Sequence, residues 1–271
     1  MKSKYPNLLI EDDGQVCWAV IDRQADRNSI NSQLMAQIGS LLRDLEGSAA
    51  RAVVFSGAGS THFMGGADGM EMMQLDRQGA REFSRRFQGL LDRLEASPLL
   101  TVAAINGLCF GGGFEFALAC DLRVAGANSR IGLPEVKVGL IPGGGGTQRL
   151  PRLVGQGLAM EMILSGKLYG GEQAAKLGLV HRVAQDQNLR QRVQDLLGPI
   201  FRNPQYALSL AKQAVKASQS ATLAEGLVNE AELFSRCLDH DFFRQLMVEQ
   251  LRLGTLTTTE DVERLLKEMT S

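Results

Sequence analysis

Apolar positions change their spacing several times along the chain, and each change predicts an element. Val16, Trp18 and Val20 alternate with Cys17 and Ala19 as in a strand, and Leu34, Ile38, Leu41, Leu42 and Leu45 then recur at helical spacing. Ala52 to Phe55 is a short β-branched run; it ends at Ser56-Gly57-Ala58-Gly59 and gives way to a Gly-rich loop through Gly66. Phe83, Phe87, Leu90, Leu91 and Leu94 share one helix face, and Pro98 stops that helix. Thr101 to Ile105 reads as a buried strand, Gly111-Gly112-Gly113 opens a helix over Phe114 to Cys120, and Leu122 to Ala125 reads as a strand. This repeated strand, loop, helix order predicts an α/β fold with crossover connections. After Val183 the pattern turns helical, over Leu189 to Phe201, Pro204 to Ser218, Leu223 to Leu238 and Phe242 to Leu253. Two regions are therefore expected, a β/α core over residues 1–190 that carries any site and a helical region over 191–271. No Pro/Ser linker separates them, so the helices are expected to pack on the core or on a neighbouring subunit.

Composition narrows the function. The 271 residues are 44% hydrophobic, enough for a substantial core, and 29 Lys plus Arg against 30 Asp plus Glu leave a net charge of −1. That balance gives no footprint for nucleic acid or an anionic membrane. The uncharged stretch from Pro98 to Phe114 is interrupted by Asn106 and glycines and runs into Glu115, so it does not read as a membrane span. Met1 to Asn7 shows neither a signal-peptide nor a transit-peptide pattern, and a cytoplasmic protein is expected. Cys17, Cys109, Cys120 and Cys237 form no CxxC pair and suit reduced core thiols; His62, His181 and His240 lie too far apart for a helical metal motif.

GxSxG, GxxxxGK[ST] and GxGxxG are all absent, which removes the main support for serine-hydrolase, P-loop and dinucleotide-binding chemistry. Three glycine-rich turns remain, at Gly65-Gly66-Ala67-Asp68, Gly111 to Gly113 and Gly143 to Gly146, and exposed N–H groups at such turns can hold an anionic oxygen. Glu115 stands in Phe114-Glu115-Phe116-Ala117-Leu118-Ala119-Cys120, where every other residue is apolar or small. Either it decorates a first helical turn, where the macrodipole favours a negative charge, or it is a functional carboxylate. Glu135, after Pro134, reads alone as a loop glutamate. Asp68 with Glu71 reads as a capping-box start, Met70, Met72 and Met73 as core or pocket wall, and His62 as a loop residue.

Taken in order, Arg27-Asn28-Ser29-Ile30-Asn31, His62-Phe63-Met64-Gly65-Gly66-Ala67-Asp68, Ala103-Ala104-Ile105-Asn106-Gly107, Gly111-Gly112-Gly113-Phe114-Glu115, Pro134 to Pro142 and Gly145-Gly146-Thr147-Gln148-Arg149-Leu150 resemble the crotonase superfamily, the enoyl-CoA hydratase/isomerase family. The resemblance implies a spiral of ββα repeats with a C-terminal helical trimerisation region, assembled as a homotrimer or homohexamer. It places an oxyanion hole at the N–H groups of Ala67 and Gly112, and catalytic glutamates at Glu115 and Glu135, as water-activating base and proton donor. Around them it puts substrate-binding positions at Arg27, Ser29, Gly65, Gly66, Asp68, Gly69, Met70, Gly111, Pro134 and Gly143. The implied reaction is hydration of an α,β-unsaturated acyl thioester, with no metal and no cofactor beyond the CoA or carrier-protein phosphopantetheine of the substrate. The alternatives are a Δ3,Δ2-enoyl isomerase, a dehydratase acting on acyl-carrier-protein thioesters, and a non-enzymatic binding or scaffold protein. The chain departs from the family pattern at Gln24, Gly65 and Met70, and it reads Gln250-Leu251-Arg252-Leu253-Gly254-Thr255-Leu256 where a basic segment is common.

Overall fold

The computed structural model describes residues 4–185 and 188–252. Two compact units divide it at Gln205/Tyr206. In the first, β1 (Leu8–Asp12), β2 (Val16–Ile21), β3 (Ala52–Gly57), β5 (Leu100–Ile105), β7 (Leu122–Gly126) and β10 (Arg182–Ala184) form a six-stranded sheet in that order; β1 and β2 are antiparallel and the rest parallel. The shorter strands β4 (His62–Met64), β6 (Leu108–Phe110), β8 (Arg130–Gly132) and β9 (Tyr169–Gly170) form a second sheet. Each of β3, β5 and β7 is followed by one strand of the small sheet, so the chain winds as a spiral of ββα turns. The helices of this unit are α1 (Ser32–Leu45), α2 (Gly69–Met72), α3 (Arg77–Ala96), α4 (Gly112–Ala119), α5 (Gly146–Val154), α6 (Gln156–Ser165), α7 (Gly171–Lys176) and α8 (Leu189–Phe201).

Strand alternation explains why the large sheet is buried on both faces. Cys17, Ala19, Ile21, Val53 and Phe55 point into the main core with the apolar faces of α1 and α3, while Val16, Trp18, Ala52, Val54, Val102 and Val124 pack with Leu189, Val193 and Leu197 of α8. Because α8 seals the second face, the first unit runs past the expected boundary at residue 190 and ends at Gln205. Cys17, Cys109 and Cys120 are buried, Cys237 is half-buried, and none of the four is in a disulfide among the described residues. None of the described helices is long and apolar enough to cross a membrane.

α4 is buried on every side, and two glycines permit its position. Gly111 starts it at φ +56°, and a Cβ on Gly113 would lie 2.1 Å from the carbonyl oxygen of Met64 in β4. Its C-terminal carbonyls are met by a buried cation: Arg123 Nη1 donates to Ala117 at 3.0 Å and Cys120 at 2.7 Å, and its Nε to Leu179 at 2.9 Å. A positive charge is favoured at that end of a helix. Beside it, burial and the Arg123 charge push His181 down to about 4.

The second unit contains the rest of α9 (Gln205–Ala217), α10 (Leu223–Cys237) and α11 (Phe242–Arg252). Thr222 and Glu225 close a full capping box on α10. Leu210 and Leu233 are buried, but Val215, Leu223, Leu227, Val228, Phe234 and Phe243 are exposed.

Candidate active site

Three glycine-rich turns converge beside the N-terminus of α4. The 65–68 loop is stitched to residues 27–30 by Gly65 N–H to Arg27 O at 3.0 Å, Ile30 N–H to Gly66 O at 2.8 Å and Asp68 N–H to Ile30 O at 2.8 Å. This leaves Ala67 beside Gly112: a Cβ on Gly112 would stand 3.4 Å from Ala67 N. Among the described residues, no protein acceptor takes the N–H of either Ala67 or Gly112. Two adjacent N–H groups beside a helix N-terminus can receive an anionic oxygen.

Glu115 lies one turn into α4, 2% exposed, and its Oε1 accepts from Gly144 N–H at 2.8 Å and Gly146 N–H at 2.7 Å. Burial raises its pKa, while the N–H groups of Gly146 and Gly144 and the charge of Arg149 oppose that rise. Glu135 follows Pro134 in a short 3-10 turn, Glu135–Val138. A Cβ on Gly111 would lie 3.4 Å from its Oε1, and its Oε2 is buried with no hydrogen-bond partner. Burial, with a smaller contribution from Glu115, carries Glu135 up to about 7 against a hydrogen bond from its own backbone. The two carboxylates thus occupy unlike environments: Glu115 is cradled by N–H groups of the 144–146 loop, and Glu135 has only its own backbone as a donor and one oxygen unpartnered.

Phe87 of α3 joins the two halves. A Cβ on Gly144 would be 2.5 Å from its Cε1, and one on Gly112 would be 3.4 Å from the same atom. The ring walls the space between the paired N–H groups and the Glu115 loop, and it leaves no room for a side chain at Gly144.

Of the sequence-derived positions, Gly66, Ala67, Gly111, Gly112, Glu115, Pro134 and Glu135 come together here. Gly143 lies at the rim, its carbonyl oxygen accepting from Ser84 Oγ at 2.7 Å and Gln88 Nε2 at 2.8 Å. Arg27, in the left-handed region at φ 58°, and Gly65 frame the loop from behind. Ser29 is buried with its carbonyl and hydroxyl oxygens turned to Arg23. Asp68 caps α2 through Met70 N–H and Glu71 N–H, with Gly69 as the first helical residue, and pairs with Arg23 at 2.9 Å. The expected capping box is incomplete, because Glu71 turns to Ser32 instead, accepting from its N–H and Oγ. Of the methionines expected in the core or a pocket wall, Met72 packs against the core, while Met70 and Met73 are 69% and 82% exposed and so lie outside it. Phe87 was read only as part of an apolar helix face and Arg149 only as part of the Gly145–Leu150 segment, neither with a role in the site; for Ser84 and Gln88 the one hint was their i, i+4 spacing, which many solvated helices share.

A model of the family described as enoyl-CoA hydratase/isomerase matches residues 11–251. The chain belongs to the enoyl-CoA hydratase/isomerase family. Among relatives of this hydratase/isomerase chain, it is 34% identical to a short-chain-enoyl-CoA hydratase of Clostridium acetobutylicum, over 85% of this chain and 89% of that protein. It is 33% identical to a crotonyl-CoA hydratase of Syntrophomonas wolfei, over 86% and 90%. Its fold superposes on an enoyl-CoA hydratase from Bacillus anthracis with a TM-score of 0.85 at 30% identity, covering 92% of this chain and 96% of that one. The spiral of this family member is the crotonase fold.

Proposed function

We propose that the protein is an enoyl-CoA hydratase that adds water across the α,β double bond of a short-chain 2-enoyl thioester. The observation that carries this reading is the pairing of two unlike carboxylates beside the Ala67/Gly112 N–H pair. The thioester carbonyl oxygen is placed between those two N–H groups, where negative charge develops as water adds. Glu115, its carboxylate held by the Gly144 and Gly146 N–H groups, takes a proton from water as the water oxygen bonds to the β-carbon. Glu135, neutral below about 7, gives its proton to the α-carbon, and the enolate collapses to a 3-hydroxyacyl thioester. No cofactor enters this sequence; the CoA is part of the substrate. The short-chain assignment draws on the names of the two relatives and on the Phe87 ring walling the site.

A homotrimer or homohexamer belongs to the same proposal. Its support is the exposed apolar surface of the second unit, with Leu223 at 80% and Phe234 at 69%, more than a solvated appendage needs. A cytoplasmic setting is supported by the buried Cys17 and Cys109, which keep reduced thiols.

The test is turnover of a panel of 2-enoyl and 3-enoyl thioesters, on CoA and on carrier protein, followed by loss of the conjugated thioester chromophore and by mass. Gain of one water on 2-enoyl-CoA, slowed roughly 10²- to 10⁴-fold in Glu115→Gln, is the expected result. Migration of the double bond without hydration would instead make the protein an isomerase, and no turnover of any member by wild type would remove the enzymatic reading.

A further inference from the structure

The peptide units that grip Glu115 are themselves gripped from behind. The Gly144 N–H that donates to Glu115 Oε1 shares its peptide plane with the Gly143 carbonyl, and that oxygen accepts from both Ser84 Oγ at 2.7 Å and Gln88 Nε2 at 2.8 Å. The next carbonyl, of Gly144, accepts from Arg149 Nη1 at 2.9 Å. Arg149 is fixed in turn by a two-pronged contact with Glu95, Nε to Oε1 at 3.1 Å and Nη2 to Oε2 at 2.7 Å, and by Asp92 Oδ1 at 3.0 Å. Ser84, Gln88, Asp92 and Glu95 follow one another at i+4, i+4 and i+3, so they form a single stripe on α3, next to the apolar stripe that the same helix buries.

We infer that this stripe is a positioning device for the reaction proposed above: Ser84, Gln88 and, through Glu95, Arg149 fix the 143–146 loop so that its N–H groups hold the Glu115 carboxylate on the attacking water. The argument is one of direction. A donor on a carbonyl oxygen polarises the N–H at the other end of the same peptide unit, and chained hydrogen bonds strengthen each other. Among the described residues, no other side chain donates to a carbonyl of this loop. Gly144 cannot carry a side chain against Phe87 and Gly145 lies at φ 106°, so the loop's own sequence supplies no side chain to lock it. The charged groups facing Glu115 are Arg149 of α5 and Glu135; Glu95 and Asp92 of α3 face Arg149. Loss of Arg149 therefore removes the one cation and part of the cradle together, and both changes favour protonation of Glu115.

The inference rests on the hydratase reading, and the experiment separates the two. Arg149→Met, Arg149→Lys, Glu95→Gln and the uncharged double variant Ser84→Ala/Gln88→Leu are compared for kcat, KM and the pH profile of kcat/KM on the best 2-enoyl-CoA. Arg149→Met is expected to lose about 10- to 100-fold in kcat with KM little changed, as small misplacements of a reacting group do. Its acid limb should move to higher pH, since the base must now be deprotonated without its cation. Arg149→Lys, which keeps the charge and loses the fork, falls between. In a Glu115→Gln background the same substitutions should cost almost nothing further, whereas a structural role would cost as much in either background. An equal loss in both backgrounds, or an unmoved acid limb in a folded variant, overturns the inference. If Arg149→Met fails to fold, the Ser84/Gln88 pair decides by the same readouts. Wild type that hydrates no thioester overturns the functional reading instead.

Discussion

Replacing Glu135 by Gln should remove a pH-dependent loss of stability and most of the activity at once. The folded chain holds the Glu135 proton more tightly than the unfolded chain does, because burial lifts the carboxyl from its usual 4.5 to about 7. Between those values the native state binds more protons than the unfolded state, so wild-type stability falls as pH rises through this window and is level above it. At about 1.4 kcal/mol per pH unit the full gap amounts to roughly 3 kcal/mol; solvent reaching this half-buried group reduces it to about 1–2 kcal/mol. Gln has nearly the same shape and no proton to lose, so the stability difference between Glu135→Gln and wild type should grow by that amount from about pH 4.5 to about pH 8. Any constant cost of seating the amide where Oε2 now lacks a partner cancels in this comparison. Urea unfolding at fixed protein concentration measures it, alongside hydration rates that should fall roughly 10² to 10⁴-fold. A stability difference that does not change with pH would show that Glu135 is not held protonated by its surroundings, and the assignment of acid and base would fall with it.

Glu115→Gln and Glu135→Gln should each lose roughly 10² to 10⁴ in kcat, and the double variant should be barely slower than the worse single one, because one proton-transfer unit is removed in either case; additive losses in steady-state kinetics would show that the two act separately. For wild type, kcat/KM should fall on the alkaline side through about 7 as Glu135 loses its proton, and a pH profile flat across that region would contradict the assignment. Arg123→Met should destabilise the fold by roughly 2–4 kcal/mol in chemical denaturation, since it strips a charged donor from the buried carbonyls of Ala117, Cys120 and Leu179. Light scattering should give the mass of three or six chains, and a monomer at micromolar concentration would contradict the assembly proposed from the exposed face of α10.

Apart from the three-residue β10, the large sheet was legible because its strands, five or six residues each, are long enough to show a period. Val16 to Ile21 carries six residues of alternation, and α1 and α3 carry three or more turns of apolar spacing. The small sheet was not. Its strands are two or three residues long, too short for any period, and what defines them is pairing with partners distant in sequence, as when Leu108 meets Arg130 and His62 meets Leu108. Residues 62–64 consequently read as loop. The methionines left core and pocket wall open for a related reason: an apolar composition says what a side chain tolerates, and on a helix of four residues no stripe exists to say which way it turns.

The site divides along the same line. Glu115 was conspicuous because a lone carboxylate in an apolar helix needs an explanation that a surface does not supply. What holds it lies elsewhere in the chain: its donors are 29 and 31 residues away, and Arg149, which grips their loop, meets Glu95 across 54 residues. Glu135 had no local signal, since Pro134-Glu135 suits a surface turn equally well, and its unusual proton affinity comes from Gly111 and the buried wall that the fold brings against it. Local sequence can expose a misplaced polar group, but the electrostatic difference between two glutamates depends on how many donors converge on each. That convergence is a property of the spiral, which folds three glycine turns from separate repeats onto the end of one buried helix. A substitution far from either glutamate can therefore change which of them holds the proton, provided it moves a donor.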